Sequence, residues 1–204
     1  LAGQGVLYAE ASEELVELSE LLQAPVMTTM EGKSAFPEDH PLSLGTGAAV
    51  MTGPVLHFMH KADVVFGVGC SLTRHVQSIS IPPGKTVIHA TNDPRDLNKN
   101  ATADIPILGD AKLVLRQAVE CVKDLLGKNR RDGEGAVGAE VKEVREAWLA
   151  EWMPKLTSAQ KPITPYRVIW EFMNTVRPEE SIVTHDAGSP SNQLLPFYRA
   201  VTPP

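Results

Sequence analysis

The sequence predicts an α/β fold, a doubly wound parallel sheet followed by the start of a second α/β unit. Three observations predict it. Residues 62–73 read A-D-V-V-F-G-V-G-C-S-L-T, where Val64, Val65, Phe66 and Val68 form a short apolar run closed by Gly67 and Gly69. A β-branched run of that length suits a strand covered on both faces, which calls for helices above and below it. Strand and helix patterns then alternate through residues 1–126, at spacings suited to right-handed crossovers. Glycine turns, Gly3-Gln4-Gly5 and Gly67-Val68-Gly69, stand at strand ends, where open parallel sheets keep their ligand crevice.

The elements follow in order. Residues 1–6 read as the end of a strand entering a glycine turn. Ser12 is a suitable N-cap, with Glu13 and Glu14 in the first turn, and Leu15, Leu18 and Leu22 form a helical stripe ended by Pro25. Residues 25–29 are a second strand, and 30–47, rich in Gly, Pro and Ser, a long loop. Gly53–Lys61 reads as a short helix with Pro54 in its first turn. After the central strand comes an irregular stretch, 70–84, then a strand over 85–90, a turn at Asn92-Asp93-Pro94 and a short strand at Ile105–Leu108. Gly109-Asp110 caps a helix carrying Leu115, Ala118, Val122 and Leu125.

Residues 127–138 are rich in glycine and charge and predict a mobile linker. A helix over 139–156 carries Val141, Val144, Trp148 and Trp152 on one stripe. Thr164-Pro165 opens another, with Ile169, Phe172, Met173 and Val176. Residues 181–184 are expected as a strand, followed by His185-Asp186-Ala187-Gly188-Ser189. The expected division is a first domain over 1–126, a linker with connecting helix over 127–161, and the beginning of a further domain over 162–204.

Bulk properties exclude several classes. The 204 residues are 43% hydrophobic and 22% charged, as in ordinary globular chains. No apolar run approaches the roughly 20 residues of a membrane helix. The net charge of −6 argues against a nucleic-acid or membrane surface as partner. Cys70 and Cys121 make no disulfide framework, so a reducing cytoplasm is expected. The chain begins without methionine and ends at V-T-P-P, so a fragment of a longer protein is expected.

Each motif has two readings. The turn A-G-Q-G-V-L could hold a diphosphate on free N–H groups, or be a tight strand-to-helix turn with no ligand. His57 and His60 share a helix face, but no metal-spaced partner accompanies them, which favours solvated histidines. Cys70 at a strand end reads as a small buried hydrophobe and Cys121 as helix packing. Ser71, Asp93 and His75 or His89 lack the nucleophile-elbow context of a triad. Ser189-Pro190 reads either as an N-cap pair or as part of a ligand site.

The ordered series L-A-G-Q-G-V, A-P-V-M-T-T-M-E-G-K-S-A-F-P, H-P-L-S-L-G, A-D-V-V-F-G-V-G, V-I-H-A-T-N-D and A-D-I-P-I-L-G-D-A-K-L-V-L resembles the Rossmann-like central domain of thiamine-diphosphate-dependent enzymes. The nearest pattern is that of acetolactate synthase large subunits and related 2-oxo acid decarboxylases and carboligases, which are lyases and transferases. Residues 162–204 resemble the start of the carboxyl-terminal, diphosphate-binding domain. The resemblance implies thiamine diphosphate and Mg²⁺ in the intact enzyme, held by flanking domains of a cytoplasmic homodimer or homotetramer. It places no catalytic residue and no metal ligand in this chain, which is expected to be inactive alone. It further implies that the central domain is a scaffold that holds FAD, ADP or nothing.

Carried over, the flavin-contacting positions are Gly3, Gly5, Thr29, Met30, Gly67, Gly69, Asp110 and Ala111, and the diphosphate-contacting turn is Gly188-Ser189. Two positions depart from the pattern. Gly69 stands where flavin-binding relatives have arginine, with Arg74 as a substitute from the loop. Thr91 replaces the first carboxylate of an H-x-D-x-D series, here His89-Ala90-Thr91-Asn92-Asp93. Losing one charge-assisted contact costs about 1.5–3 kcal/mol. Two rival readings are a non-catalytic nucleotide-binding module and an NAD-dependent oxidoreductase domain. The latter is disfavoured by Thr28-Thr29 where a ribose-binding acid is wanted.

Overall fold

The computed structural model describes residues 1–48, 50–74, 78, 80–127 and 135–201. Its first three residues form a stub between two halves of a parallel sheet. Helix α1 (Gln4–Tyr8) and α2 (Ser12–Leu22) follow, then β1 (Val26–Thr28), β2 (Ser43–Thr46), α3 (Gly53–Lys61), β3 (Val64–Val68), β4 (Thr86–Thr91), β5 (Ile105–Leu108) and α4 (Ala111–Leu126). The chain continues through α5 (Ala136–Leu156), α6 (Pro165–Thr175), a 3-10 turn at Pro178–Glu180 and α7 (Ser189–Leu194).

Ala2 makes parallel bridges to Thr28 and to Val68, and β1 pairs β2 while β3, β4 and β5 pair in sequence, all parallel. The order across the sheet is β2–β1–stub–β3–β4–β5. Chain direction across the sheet reverses at the stub. This is the doubly wound topology, whose ligand crevice lies at the carboxyl ends of the strands flanking that reversal.

Helices cover both faces. Val6, Leu15, Leu18, Leu115 and Val119 of α1, α2 and α4 pack with Val26, Val68 and Ala90. Val55, Phe58 and Met59 of α3 and Val141 of α5 pack on the opposite side with Met27, Leu44 and Val65. Neighbouring strand residues such as Val26 and Met27 thus enter different layers, as the pleat requires. β3 is an inner strand, bonded to β4 along its length and to the stub on its other edge; only its first residue, Val64, is open, at 47% exposure.

Several elements differ from the sequence reading. Residues 1–6 are a strand end running into a glycine turn as expected, but the strand is reduced to the bridges of Ala2, and the turn leads at once into α1. Ser12 is the first residue of α2, not its cap; Ala11 holds the cap position without a side-chain bond. The loop 30–47 contains β2, where Gly45 at φ +84° and a register shift hide the strand pattern. Leu125 lies off the buried face of α4 at 86% exposure, and Cys121 is exposed as well. Of the expected mobile linker, 128–134 lie outside the described residues, whereas 136–138 already belong to α5. A Cβ on Gly138 would come within 3.3 Å of Pro41, so that turn is packed. Residues 181–184 find no ladder partner among the described residues and form no strand; Ile182 is 95% exposed. Gly188, at φ +81°, takes the cap of α7, and Ser189 is its first residue.

Candidate functional site

The carboxyl ends of the stub, β1, β3, β4 and β5 open onto one crevice of about 620 Å³. Gly3, Gly5, Thr29, Met30, Gly69, Cys70, Asp110 and Ala111 are among the residues that line it. The structure thus brings together seven of the residues singled out from sequence: Gly3, Gly5, Thr29, Met30, Gly69, Asp110 and Ala111. Gly67 does not line it; a Cβ there would come within 3.2 Å of Cys70 Sγ and Leu72. Arg74 lines a separate cleft with Pro82 and Pro83, and its backbone N–H donates to Asn100 Oδ1 at 3.1 Å. Ser189 lines a small cleft beside Trp148, Trp152 and Phe197, and Gly188 is exposed.

The backbone around the crevice is closely interlocked. Gly3 N–H donates to Val68 O (3.0 Å), Gly5 N–H to Gly69 O (2.8 Å) and Val6 N–H to Gly3 O (3.1 Å). A Cβ on Gly3 would stand 2.3 Å from Gly69 O, and one on Gly5 2.8 Å from Gly69 Cα. These glycines are required because two backbone segments touch. Asp110 caps α4, its Oδ1 accepting from Lys112 and Leu113 N–H at 3.0 and 3.2 Å.

The polar side chains around Cys70 and Asp93 are also committed. His89 is fully buried and its Nε2 lies 2.8 Å from Cys70 O, which leaves Nδ1 without a hydrogen-bond partner among the described residues. Burial pushes the Cys70 thiol up to about 11, so it is no nucleophile near neutrality. Asp93 forms a two-pronged pair with Arg95, whose hydrogen bonds hold its carboxyl down at about 2. His89 and Asp93 are therefore not two parts of a triad, and His75 lies outside the described residues. His57 faces Glu140 at 2.8 Å, and no metal-binding group of three side chains converges among the described residues.

Comparison with known proteins places the chain. Residues 1–118 match the family model described as thiamine pyrophosphate enzyme, central domain. The chain belongs to that family. It is also 34% identical to the probable acetolactate synthase large subunit of Methanocaldococcus jannaschii and 29% identical to that of Methanococcus aeolicus, each over 100% of its length. With the acetolactate synthase isozyme 3 large subunit of Escherichia coli it shares 31% identity over 91% of its length. The chain spans about a third of the length of these relatives: 35%, 34% and 32%. The family match ends inside α4, and the full-length similarity to the two methanogen proteins carries it through α5, α6 and α7.

One cluster in this family member escaped the reading of the sequence. Lys33 Nζ lies 2.7 and 2.8 Å from the two carboxylate oxygens of Glu38, with side chains only 15% and 4% exposed. Thr46 Oγ1 donates to Glu38 Oε1 (2.9 Å), and Ala200 N–H to Glu38 Oε2 (2.8 Å). Glu38 N–H returns a bond to Ala200 O at 2.9 Å. Burial lowers the Lys33 pKa, with Glu38 opposing the shift. The signal was short: the spacing of Lys33 and Glu38 inside a presumed loop. Its partners lie in β2 and near the carboxyl end, out of reach of any local pattern.

Proposed function

We propose that this chain is the central domain, the connecting helix and the opening of the following domain of a thiamine-diphosphate-dependent 2-oxo acid decarboxylase or carboligase resembling acetolactate synthase. The observation that carries this reading is the similarity to acetolactate synthase large subunits along the whole 204 residues, beyond the family match at 1–118. The proposed division is 1–126, 127–161 and 162–204, and the parent assembles as a cytoplasmic homodimer or homotetramer.

Within the parent the central domain acts as a scaffold. Its sheet fixes the crevice on one side, and the Lys33–Glu38 cluster anchors the segment around Ala200, so two parts of the chain keep a set orientation. Bound in the parent, thiamine diphosphate with Mg²⁺ would supply an electron sink for decarboxylation of a 2-oxo acid. The Gly188-Ser189 turn offers backbone donors to that diphosphate in the intact enzyme. A six-residue helix without a side-chain cap holds an anion weakly by itself.

A second reading concerns the crevice, where FAD or ADP would lie over Gly3, Gly5 and Gly69. Its position at the chain reversal and its volume favour a nucleotide. The non-catalytic module and the NAD-dependent oxidoreductase would use the same place, and Thr28-Thr29 at the end of β1 argues against the latter.

The parent protein should consume pyruvate only with thiamine diphosphate and Mg²⁺, and the 204-residue chain should consume none. Pyruvate turnover by the parent without thiamine diphosphate, or by the chain alone, would overturn this function.

A further inference from the structure

We infer that the crevice at the chain reversal gives a nucleotide diphosphate little grip: added phosphates gain a ligand no affinity there. The inference rests on the family reading only for the choice of ligand to test.

A diphosphate in a doubly wound fold is held by N–H groups left open at strand ends and by nearby cations. Here seven of the N–H groups at the turn and the strand ends are spent within the protein. Those of Gly3, Gly5 and Val6 bond within the interlocked turn. At the other strand ends, Thr29 N–H donates to Ala2 O, Gly47 N–H to Thr28 O, Gly69 N–H to Ala90 O and Gly109 N–H to Thr91 O, all at 2.8–3.0 Å. Each loop continues its neighbour's ladder for one more bond. The first turn of α4, the longest helix opening on the crevice, has Lys112 and Leu113 N–H covered by the Asp110 carboxylate. An anion arriving there must displace a carboxylate that already serves the helix dipole.

Charge points the same way. Glu31, Asp93, Asp96 and Asp110 line the crevice, and no lysine or arginine does among the described residues. Arg95 and Lys99 pair with Asp93 and Asp96 from outside the lining, at 2.6 and 3.7 Å. Arg74 opens onto the other cleft. The glycines that suggest a phosphate turn are explained by backbone contact: a Cβ on Gly3, Gly5 or Gly69 would meet the facing chain at 2.3, 2.8 and 2.7 Å. Nothing in their presence calls for a ligand.

The test compares matched pairs by calorimetric titration into this chain and into the parent protein, at low ionic strength where charge is least screened. The pairs are FAD against riboflavin and ADP against adenosine. Each charged member should bind no tighter than its uncharged partner, and heat from neither member of a pair carries the same meaning, since the phosphates then gain no affinity. FAD or ADP binding tenfold or more tighter than its partner, about 1.4 kcal/mol, would show that the diphosphate is gripped and would end the inference. Neither result touches the pyruvate assay, so the two proposals fail separately.

Discussion

Gly3 shows how a single position carries two meanings in a sequence. Written as G-x-G after a strand, it suggests a phosphate turn; in the structure it faces Gly69 O so closely that no side chain fits. Gly84 is the useful contrast, at φ +84° with no atom near an added Cβ. Gly3→Ala therefore forces backbone apart and should cost about 3 kcal/mol, at the upper end of overpacking. Gly84→Ala meets only conformational strain, about 1 kcal/mol. Urea unfolding of both variants checks this, and equal losses would mean that the Gly3–Gly69 contact relaxes freely. The residues legible in sequence were those with a fixed local role, such as Asp110 and Thr164 as caps. Cys70 was legible as a buried thiol, but the commitment of His89 was not, because it depends on Cys70 O, 19 positions away.

At the level of elements, the strongly periodic segments were read closely: α3, β3, β5 and α6 lie where the pattern put them. β2 was missed because a four-residue strand containing a glycine has no period to display. Residues 181–184 failed the other way, since a β-branched run such as Ile182-Val183-Thr184 makes a strand only where a neighbour offers a ladder. β2 also carries Thr46 into the Lys33–Glu38 cluster, which joins the loop before it to the segment around Ala200. Removing one partner of a buried pair leaves an uncompensated charge, so Glu38→Ala should cost about 3–5 kcal/mol. The same change should open the Ala200 amide to hydrogen exchange while the β3–β4 amides stay protected. Lys33→Met combined with Glu38→Leu removes both charges and should be milder than Glu38→Ala alone. An Ala200 amide still protected in Glu38→Ala would show that packing, not the carboxylate, holds the segment.

Across the whole molecule, the layer architecture followed from one buried run, its glycine stops and the alternation around it, because a strand covered on both faces leaves little choice of fold. The order of strands was not legible, since it is set by which edges meet and not by any local pattern. That order has a consequence in time. The stub occupies the middle of the sheet, yet its two edges are completed at different stages of synthesis. Its bond partner Met27 is made early, whereas Phe66, bonded to Leu1, lies 65 residues further along. Each doubling of the closed loop adds about 0.6 kcal/mol of entropic cost, so the nearer edge closes first. In pulse-labelled hydrogen exchange during refolding, the Ala2 amide, held by Met27 O, should gain protection before the Gly3 amide, held by Val68 O. Simultaneous protection would mean that both halves condense in one step. In the expected order, the half-formed sheet exposes the edge destined for β3, an open template for any passing strand until residues 64–68 arrive.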